Sequence, residues 1–282
     1  MTTVTLSQHP TSGPINWAAY TVRATAIGYI GLLVLLPLVA LAASAGHVPL
    51  RQLLESLRQP EATHSLALTF GTALAMALIN SVTGTVVAYC LVRYEFTGKS
   101  LLNSLVDLPF AIPTVVTGLM LVVLYGPGSA VGHFLTTHGV EVMYAKPGIV
   151  LALLFVTFPF VVRAVQPLLL EMDLETEEAA HTLGAGHWLT FRRVTLPTVA
   201  PGLATGVTLS FARALGEFGS VVIVAGNIPL KTQVASVYIY GQIETSQPEA
   251  ATAMSLVLLA ASLIFLVTVD FLQRRGAATH ER

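Results

Sequence analysis

Six long apolar segments dominate the sequence and restrict what the chain can fold into. A helix rises roughly 1.5 Å per residue, so about 20 apolar residues are needed to cross a hydrocarbon core of about 30 Å. The segments of that length are residues 24–45, 65–92, 105–125, 148–170, 201–224 and 249–272. The sequence therefore predicts an all-α integral membrane protein with six transmembrane helices.

The composition agrees with this class and excludes others. Charged residues make up 10% of the chain, whereas an ordinary soluble domain carries about 25%. The formal net charge is −1, so no strongly basic surface invites nucleic acid. Cys90 is the single cysteine, which excludes a disulfide within the chain and a thiolate metal site.

A polar loop, residues 171–198, interrupts the apolar sequence between the fourth and fifth spans. Acidic residues cluster near its start and two arginines lie near its end, an order that suits the helix dipole. The pattern predicts a short helix over residues 174–183 and a second short helix ending at Arg193. Gly184 and Gly186 are expected to supply the positive φ that a tight helix-ending turn needs.

The spacing inside the polar loop carries a resemblance to a known family. The letters EAA at residues 178–180 are followed four residues later by a glycine, and after nine more residues by VTLP at 194–197. This closely resembles the cytoplasmic EAA loop of ABC-transporter permeases, with Val194 in place of the commoner Ile. The resemblance implies a short helix that couples to a separate ATPase subunit; the alternative is a solvated loop. The implied coupling residues are Glu178, Ala179, Ala180, Gly184 and Pro197.

The fifth predicted span carries Arg213 and Glu217, which are four residues apart on one helix face and can pair. An ionisable residue inside a span is a functional hypothesis by default, because its insertion is costly, and the hypothesis for Arg213 and Glu217 is a place in an anion path. A structural pair that neutralises itself is the alternative. Residues 213–219, RALGEFG, and AGN at 225–227 are similar to the signature of sulfate and molybdate permeases.

Other polar side chains in the spans have two interpretations each. Arg163 either snorkels to the membrane edge or lines an anion path, for which Ser81 and Ser210 are further candidates. The side-chain amide of Asn80 is predicted to form a hydrogen bond across a helix interface rather than to bind a substrate. Asp107 is predicted to cap a helix start.

Small residues and prolines predict how the spans pack and bend. Small side chains recur every fourth residue in the second span (Thr69, Ala73, Ala77, Ser81, Thr85) and in the fifth (Gly202, Gly206, Ser210, Ala214). Such ridges let another helix approach closely. Pro109 and Pro113 are expected to bend the third span, because proline removes backbone hydrogen bonds.

The segments between spans are short. Residues 48–58 alternate apolar and polar residues at helical spacing, which predicts a helix on the membrane surface. Residues 126–147 and 226–248 are predicted as exposed loops, the second with a helical stretch near residues 232–242.

Lysine and arginine counts predict the sidedness. One side of the membrane receives eight of them in the links and tails (Arg23, Arg93, Lys99, Arg192, Arg193, Arg274, Arg275, Arg282), and the other receives four (Arg51, Arg58, Lys146, Lys231). The positive-inside rule then puts the polar loop and both tails, residues 1–23 and 273–282, in the cytoplasm, flanking a permease domain over residues 24–272.

Nearly all of residues 27–272 resembles the T-type permease subunits of bacterial sulfate/thiosulfate ABC importers. The resemblance implies the MetI-like, type I importer fold in the bacterial inner membrane, a W-type permease partner, two ATPase copies and an extracytoplasmic sulfate-binding protein. It also implies that ATP and Mg are held by the ATPase and that this chain binds no cofactor. Gly98-Lys99-Ser100 is not a phosphate loop, because the required earlier glycine is replaced by Arg93.

Three alternatives remain open from the sequence. The same architecture serves a molybdate or tungstate permease, since the signature is shared. A secondary transporter driven by an ion gradient commonly shows half-to-half repeats, and none is evident. An intramembrane enzyme needs reactive groups such as Ser–His or a histidine metal site, and no histidine falls inside a predicted span.

Overall fold

The fold is described for residues 17–46 and 48–280 of a computed structural model, and its side chains for residues 20–46 and 48–271. These residues form α-helices and no strand. The helices are α1 Trp17–Ile30, α2 Leu36–Gly46, α3 Leu50–Arg58, α4 Pro60–Arg93, α5 Lys99–Ala111, α6 Thr114–Tyr125, α7 Ala130–Thr137, α8 Lys146–Glu171, α9 Leu174–Thr182, α10 His187–Thr190, α11 Leu196–Leu215, α12 Gly219–Ala225, α13 Ala235–Glu244 and α14 Pro248–His280. The prediction of an all-α protein is confirmed.

Two compact units divide the chain at Val48. In the first, a π-helical segment, Gly31–Leu35, joins α1 to α2. The resulting run Tyr20–Gly46 is long and apolar enough to cross a membrane, which agrees with the span predicted over residues 24–45. Residues 1–16 of the predicted N-terminal tail lie outside the described part of the chain.

The second unit contains four further helices of spanning length: Pro60–Arg93, Lys146–Glu171, His187–Leu215 and Pro248–Phe271. The second, fourth and sixth predicted spans are thereby confirmed, with the sixth helix continuing to His280 through most of the predicted C-terminal tail. His64 and His187 lie at the beginnings of two of these helices. Both lie outside the predicted spans, residues 65–92 and 201–224, because these helices begin before the spans do.

The third predicted span, residues 105–125, is two helices rather than one. The axes of α5 and α6 are bent by 113° at the break between them, a geometry found both in broken spans and in re-entrant loops. Ile112, at the break, is extended with φ −87° and ψ 127°, as expected of a residue before proline. Pro113 therefore separates the helices completely, whereas Pro109 is accommodated inside α5.

The fifth predicted span, residues 201–224, has different ends in the structure. The helix begins at His187, passes through a π-helical segment, Phe191–Thr195, and ends as α11 at Leu215. The second short helix of the polar loop therefore does not end at Arg193. Pro197 lies in the first turn of α11, where its missing N–H removes one backbone bond directly after the π turn without ending the helix.

The core is formed where α4 and α11 pack against α8. A side-chain carbon added at Gly84 would lie 2.8 Å from Val161 Cβ, and one at Gly206 would lie 2.8 Å from Val161 Cα. All members of both predicted small-residue ridges are buried except the half-buried Ser81, and Thr69 contacts α13, where its Oγ1 accepts a hydrogen bond from the backbone N of Ala235 at 2.8 Å. Asn80 Nδ2 on α4 donates to Thr157 Oγ1 on α8 at 2.9 Å. The hydrogen bond predicted for Asn80 across a helix interface is therefore confirmed.

The remaining helices surround this core. α5 packs on α8, α6 packs on α12, and α13 packs on α14 and α4. The predicted amphipathic segment is α3, which contacts α14 and α4. The two predicted loops contain α7 and α13, the latter shifted by a few residues from the helical stretch expected at residues 232–242.

Candidate functional site: the polar loop and the charged residues of the spans

The polar loop opens with a capped helix. The side-chain Oδ1 of Asp173 accepts a hydrogen bond from the backbone N of Glu175 at 3.0 Å, which satisfies a donor that the first turn leaves free. Glu175 and Glu177 lie in the first turn of α9, where the helix dipole favours negative charge. The predicted short acidic helix is confirmed.

The end of α9 is a left-handed glycine turn. Gly184 has φ +84°; its N–H donates to His181 O at 2.9 Å, and the N–H of Ala185 donates to Ala180 O at 3.0 Å. This pair of bonds is the Schellman arrangement, which favours glycine at the left-handed position. Gly186 has φ −73°, so the expectation of positive φ is confirmed at Gly184 and wrong at Gly186.

The residues predicted to couple to an ATPase lie on the outer surface of the polar loop. Glu178, Ala179, Gly184 and Pro197 are exposed, and Ala180 is half-buried. Two large apolar side chains are exposed beside them: Leu183 is 88% exposed and Trp188 is 73% exposed. Such exposure of large apolar groups is typical of a docking surface.

Glu177 is the residue of the polar loop that the sequence analysis missed. It is buried, unlike Glu178 beside it. Its Oε1 accepts a hydrogen bond from Thr195 Oγ1 at 2.7 Å, and its Oε2 lies 3.2 Å from Nε of Arg93. One signal in the sequence could have indicated this pair. Arg93 is a basic residue at the end of a predicted span, and the acidic helix of the polar loop offers it a partner of opposite charge.

Arg213 and Glu217 form the predicted pair. Arg213 Nη1 lies 2.8 Å from Glu217 Oε2, and the two side chains are 37% and 1% exposed. Glu217 Oε1 accepts from both the backbone N and the Oγ of Ser220, each at 2.9 Å. The carboxylate therefore caps α12 as well as holding Arg213, in the break that follows α11.

Arg163 has its own carboxylate. Its Nε and Nη2 donate to the two oxygens of Asp107 at 2.7 and 2.6 Å, and its other three N–H groups bond Asn103 Oδ1, Asn103 O and Gln166 Oε1. Asp107 thus pairs with Arg163 across α5 and α8, and its prediction as a helix cap is wrong. The cap was inferred from a helix start near residue 105, whereas α5 begins at Lys99.

Comparison with known proteins identifies the family. The family described as "Binding-protein-dependent transport system inner membrane component" matches residues 80–276, well over half of the chain. The chain belongs to this family of permeases. The permease is therefore a multi-pass inner membrane protein and a transporter subunit rather than an enzyme.

Named relatives cover most of the permease. It is 42% identical over 251 residues to "Sulfate transport system permease protein CysT" of Escherichia coli (strain K12), covering 89% of this chain and 91% of that one. It is 43% identical over 245 residues to the protein of the same name from Synechococcus elongatus, covering 87% and 88%.

Solved structures support the fold. The permease superimposes on a chain of a bacterial ABC transporter that imports the acidic polysaccharide alginate, with a TM-score of 0.76 at 17% identity over 92% of this chain and 96% of that one. A chain of the MetNI methionine ABC transporter gives a TM-score of 0.53 at 16% identity, covering 75% and 92%. The MetI-like importer fold is confirmed.

The two predicted serine donors are bonded within their own helices. Ser81 Oγ donates to Leu78 O at 2.8 Å, and Ser210 Oγ donates to Gly206 O at 2.8 Å. Ser210 is fully buried against α8, and Ser81 is half-buried. The charged candidates form two separate pairs, Arg213 with Glu217 and Arg163 with Asp107.

A cavity of about 1150 Å³ lies among α4, α5, α6 and α8. Its walls are mainly apolar, and the polar side chains on them are Asn80, Thr83, Thr117, Tyr125 and Ser129. No charged side chain lines it within the described residues, and neither charged pair is part of its lining.

Proposed function

We propose that the permease is the membrane-spanning subunit of an ATP-driven importer for sulfate or thiosulfate. The observation that carries the proposal is the identity of 42–43% over most of the chain to relatives named as sulfate transport system permeases. The signature shared with molybdate permeases is compatible with either oxyanion, and the names of these relatives favour sulfate.

The polar loop docks on a separate ATPase subunit that binds ATP and Mg. The exposed Glu178 and Ala179, with Leu183 and Trp188 beside them, give this surface a charged group, a small residue that permits close approach and two apolar contacts. Buried aromatic anchors contribute most of the binding energy in protein interfaces. Because the loop continues without a break into α11, displacement of the docked loop moves a span.

Arg213 is the main candidate for contact with the anion. Its side chain is 37% exposed although its ion-pair partner is buried, so Arg213 is the more open member of the pair. Arg163 contributes less, because all five of its N–H groups are bonded and Asp107 neutralises it. Ser81 and Ser210 contribute less as well, because each hydroxyl already donates to a backbone carbonyl: Ser81 to Leu78 O, and Ser210 to Gly206 O and Thr157 O.

The complete importer contains a W-type permease, two ATPase subunits and an extracytoplasmic sulfate-binding protein. A solved relative of this fold is an alginate transporter in complex with a periplasmic binding protein, which supports a binding protein here. The positive-inside count places both termini and the polar loop in the cytoplasm. Transport follows alternating access: ATP draws the docked loops together, the path opens outward to receive the anion, and hydrolysis returns it to the inward state.

Uptake of radiolabelled sulfate tests the proposal. The permease is expressed with its W-type partner, ATPase and binding protein in bacteria that lack sulfate uptake. We expect uptake that unlabelled thiosulfate inhibits more strongly than molybdate, and that a catalytically inactive ATPase abolishes. Stronger inhibition by molybdate would assign the alternative oxyanion, and uptake that survives without ATP hydrolysis would contradict an ABC importer.

A further inference from the structure

Glu177 is buried at the point where three helical elements meet. These are α9 of the polar loop, the end of α4 at Arg93, and the π-helical segment that leads into α11 at Thr195. The neighbouring acids of α9, Glu175 and Glu178, are exposed. The burial of Glu177 is therefore specific to one face of α9, the face turned toward the spans.

The Glu177 carboxylate is held by charge as well as by a hydrogen bond. The side chains of Arg93 and Glu177 are 10% and 12% exposed, so each is costly to bury unless the other neutralises it. Nε and Nη2 of Arg93 have no hydrogen-bond partner among the described residues. Attraction between the two charges, rather than a linear hydrogen bond, therefore joins α9 to α4.

A second contact joins the later half of the polar loop to the same helix. The ring of Phe191 lies edge-on to the ring of Tyr89 on α4, with centroids 6.0 Å apart and planes at 90°. Phe191 also stacks with Trp188, with centroids 5.7 Å apart. The exposed docking surface at Trp188 is thus connected through Phe191 to α4, in an arrangement that aromatic pairs favour.

We propose that Glu177 and Arg93 form the joint that makes the end of α4 follow the polar loop during transport. Glu177 is a positioning residue in this account, because it contacts neither the ATPase nor the anion. Separating α9 from α4 would leave two buried charges unpaired, so the elements move together. Since α4 packs along α8 and α11, the displacement reaches the core. This inference depends on the proposed docking of the loop on an ATPase.

The ratio of sulfate transported to ATP hydrolysed tests the joint. The assembled importer is reconstituted in lipid vesicles, with Glu177→Gln compared with the control Glu61→Gln, an exposed acid in the first turn of α4 and outside the polar loop. Coupling between sites typically corresponds to roughly 5–150-fold, so we expect Glu177→Gln to lower sulfate per ATP at least about fivefold and Glu61→Gln to leave it unchanged. A merely structural role would lower uptake and hydrolysis in proportion, and that result or an unchanged ratio would overturn the proposal.

A cross-link tests the same joint if Glu177→Gln reduces assembly. Arg93→Cys and Glu177→Cys are combined in a Cys90→Ser background and joined in the assembled importer by a short bismaleimide. We expect the cross-linked importer to transport more sulfate per ATP than the untreated double variant, because the covalent link replaces the lost ion pair and keeps the two elements together throughout the cycle. A cross-link that blocks transport, or that leaves the ratio unchanged, would overturn the proposal. Failure of the unsubstituted permease to copurify with its ATPase would instead contradict the proposed docking.

Discussion

Arg213 and Glu217 share one ion pair but differ sharply in exposure. Nη1 of Arg213 lies 2.8 Å from Oε2 of Glu217, yet the arginine side chain is 37% exposed and the glutamate 1%. The buried carboxylate also accepts two hydrogen bonds from Ser220, so it is held in place without the arginine. The fixed carboxylate therefore holds the guanidinium of an arginine whose side chain is partly exposed.

Replacing Arg213 tests its place in the anion path. We expect Arg213→Met to reduce sulfate uptake at least about tenfold, the effect of roughly 1.4 kcal/mol, because it removes the accessible positive charge. Arg213→Lys is the matched control and should retain much of the uptake, since it keeps the charge. Uptake is measured with the amount of folded permease determined in the same membranes. Normal uptake by Arg213→Met at normal expression would remove Arg213 from the path.

The pair of Asp107 and Arg163 joins α5 to α8 and is expected to stabilise the packing of these two helices. Asp107→Ala should lower the stability of the detergent-solubilised permease by about 1 kcal/mol, a modest value because partly exposed ion pairs are screened by solvent. Adding Arg163→Met to Asp107→Ala should lower the stability by less than Arg163→Met does in the unsubstituted permease, because the partner of Arg163 has already been removed. A double-mutant cycle of thermal unfolding measures this coupling, and strictly additive effects would contradict the pairing.

Close packing of α11 against α8 predicts opposite effects at two glycines. Gly206→Ala should destabilise the permease by about 1–3 kcal/mol, because the added carbon would lie 2.8 Å from Val161 Cα and overpacking is costly. Gly71→Ala is the matched control in α4, where nothing lies within 4 Å of the added carbon. It should be neutral or stabilising by up to about 1 kcal/mol. Equal thermal stability of the two variants would contradict the close approach.

The sequence predicts the spans well because hydropathy is a property of each segment alone. The break between α5 and α6 was not predictable in the same way. Pro109 and Pro113 carry the same local signal, but only Pro113 ends a helix, and neighbouring helices decide whether a proline is accommodated. The predicted end of the fifth span is wrong for a related reason. Apolar residues continue from α11 into α12, so hydropathy alone does not show the break between these helices at Glu217.

The candidate site shows the same division between local and distant causes. The Schellman turn at Gly184 follows from a short motif and was predicted. The burial of Glu177 depends on Arg93, which is distant in the sequence, and no pattern within the polar loop distinguishes it from Glu178. Asp107 was misassigned because its partner, Arg163, is likewise on another span.

The proposed sidedness predicts which face of the membrane reaches the polar loop. Thr182 is exposed at the end of α9, so Thr182→Cys in a Cys90→Ser background presents one accessible thiol. We expect no labelling in intact cells by a maleimide that cannot cross the bilayer, and full labelling once the cells are opened. Labelling of intact cells would place the polar loop outside and invert the topology.

Copurification of the ATPase tests most directly whether the polar loop is its docking surface. Leu183→Asp puts a charge on the loop residue that is 88% exposed, and Ile243→Asp puts the same charge on α13, where the residue is 60% exposed. We predict that the tagged permease with Leu183→Asp loses the ATPase while the one with Ile243→Asp retains it, at equal amounts in the membrane. An ATPase that copurifies equally with both variants, with sulfate uptake preserved in both, would contradict docking through the loop.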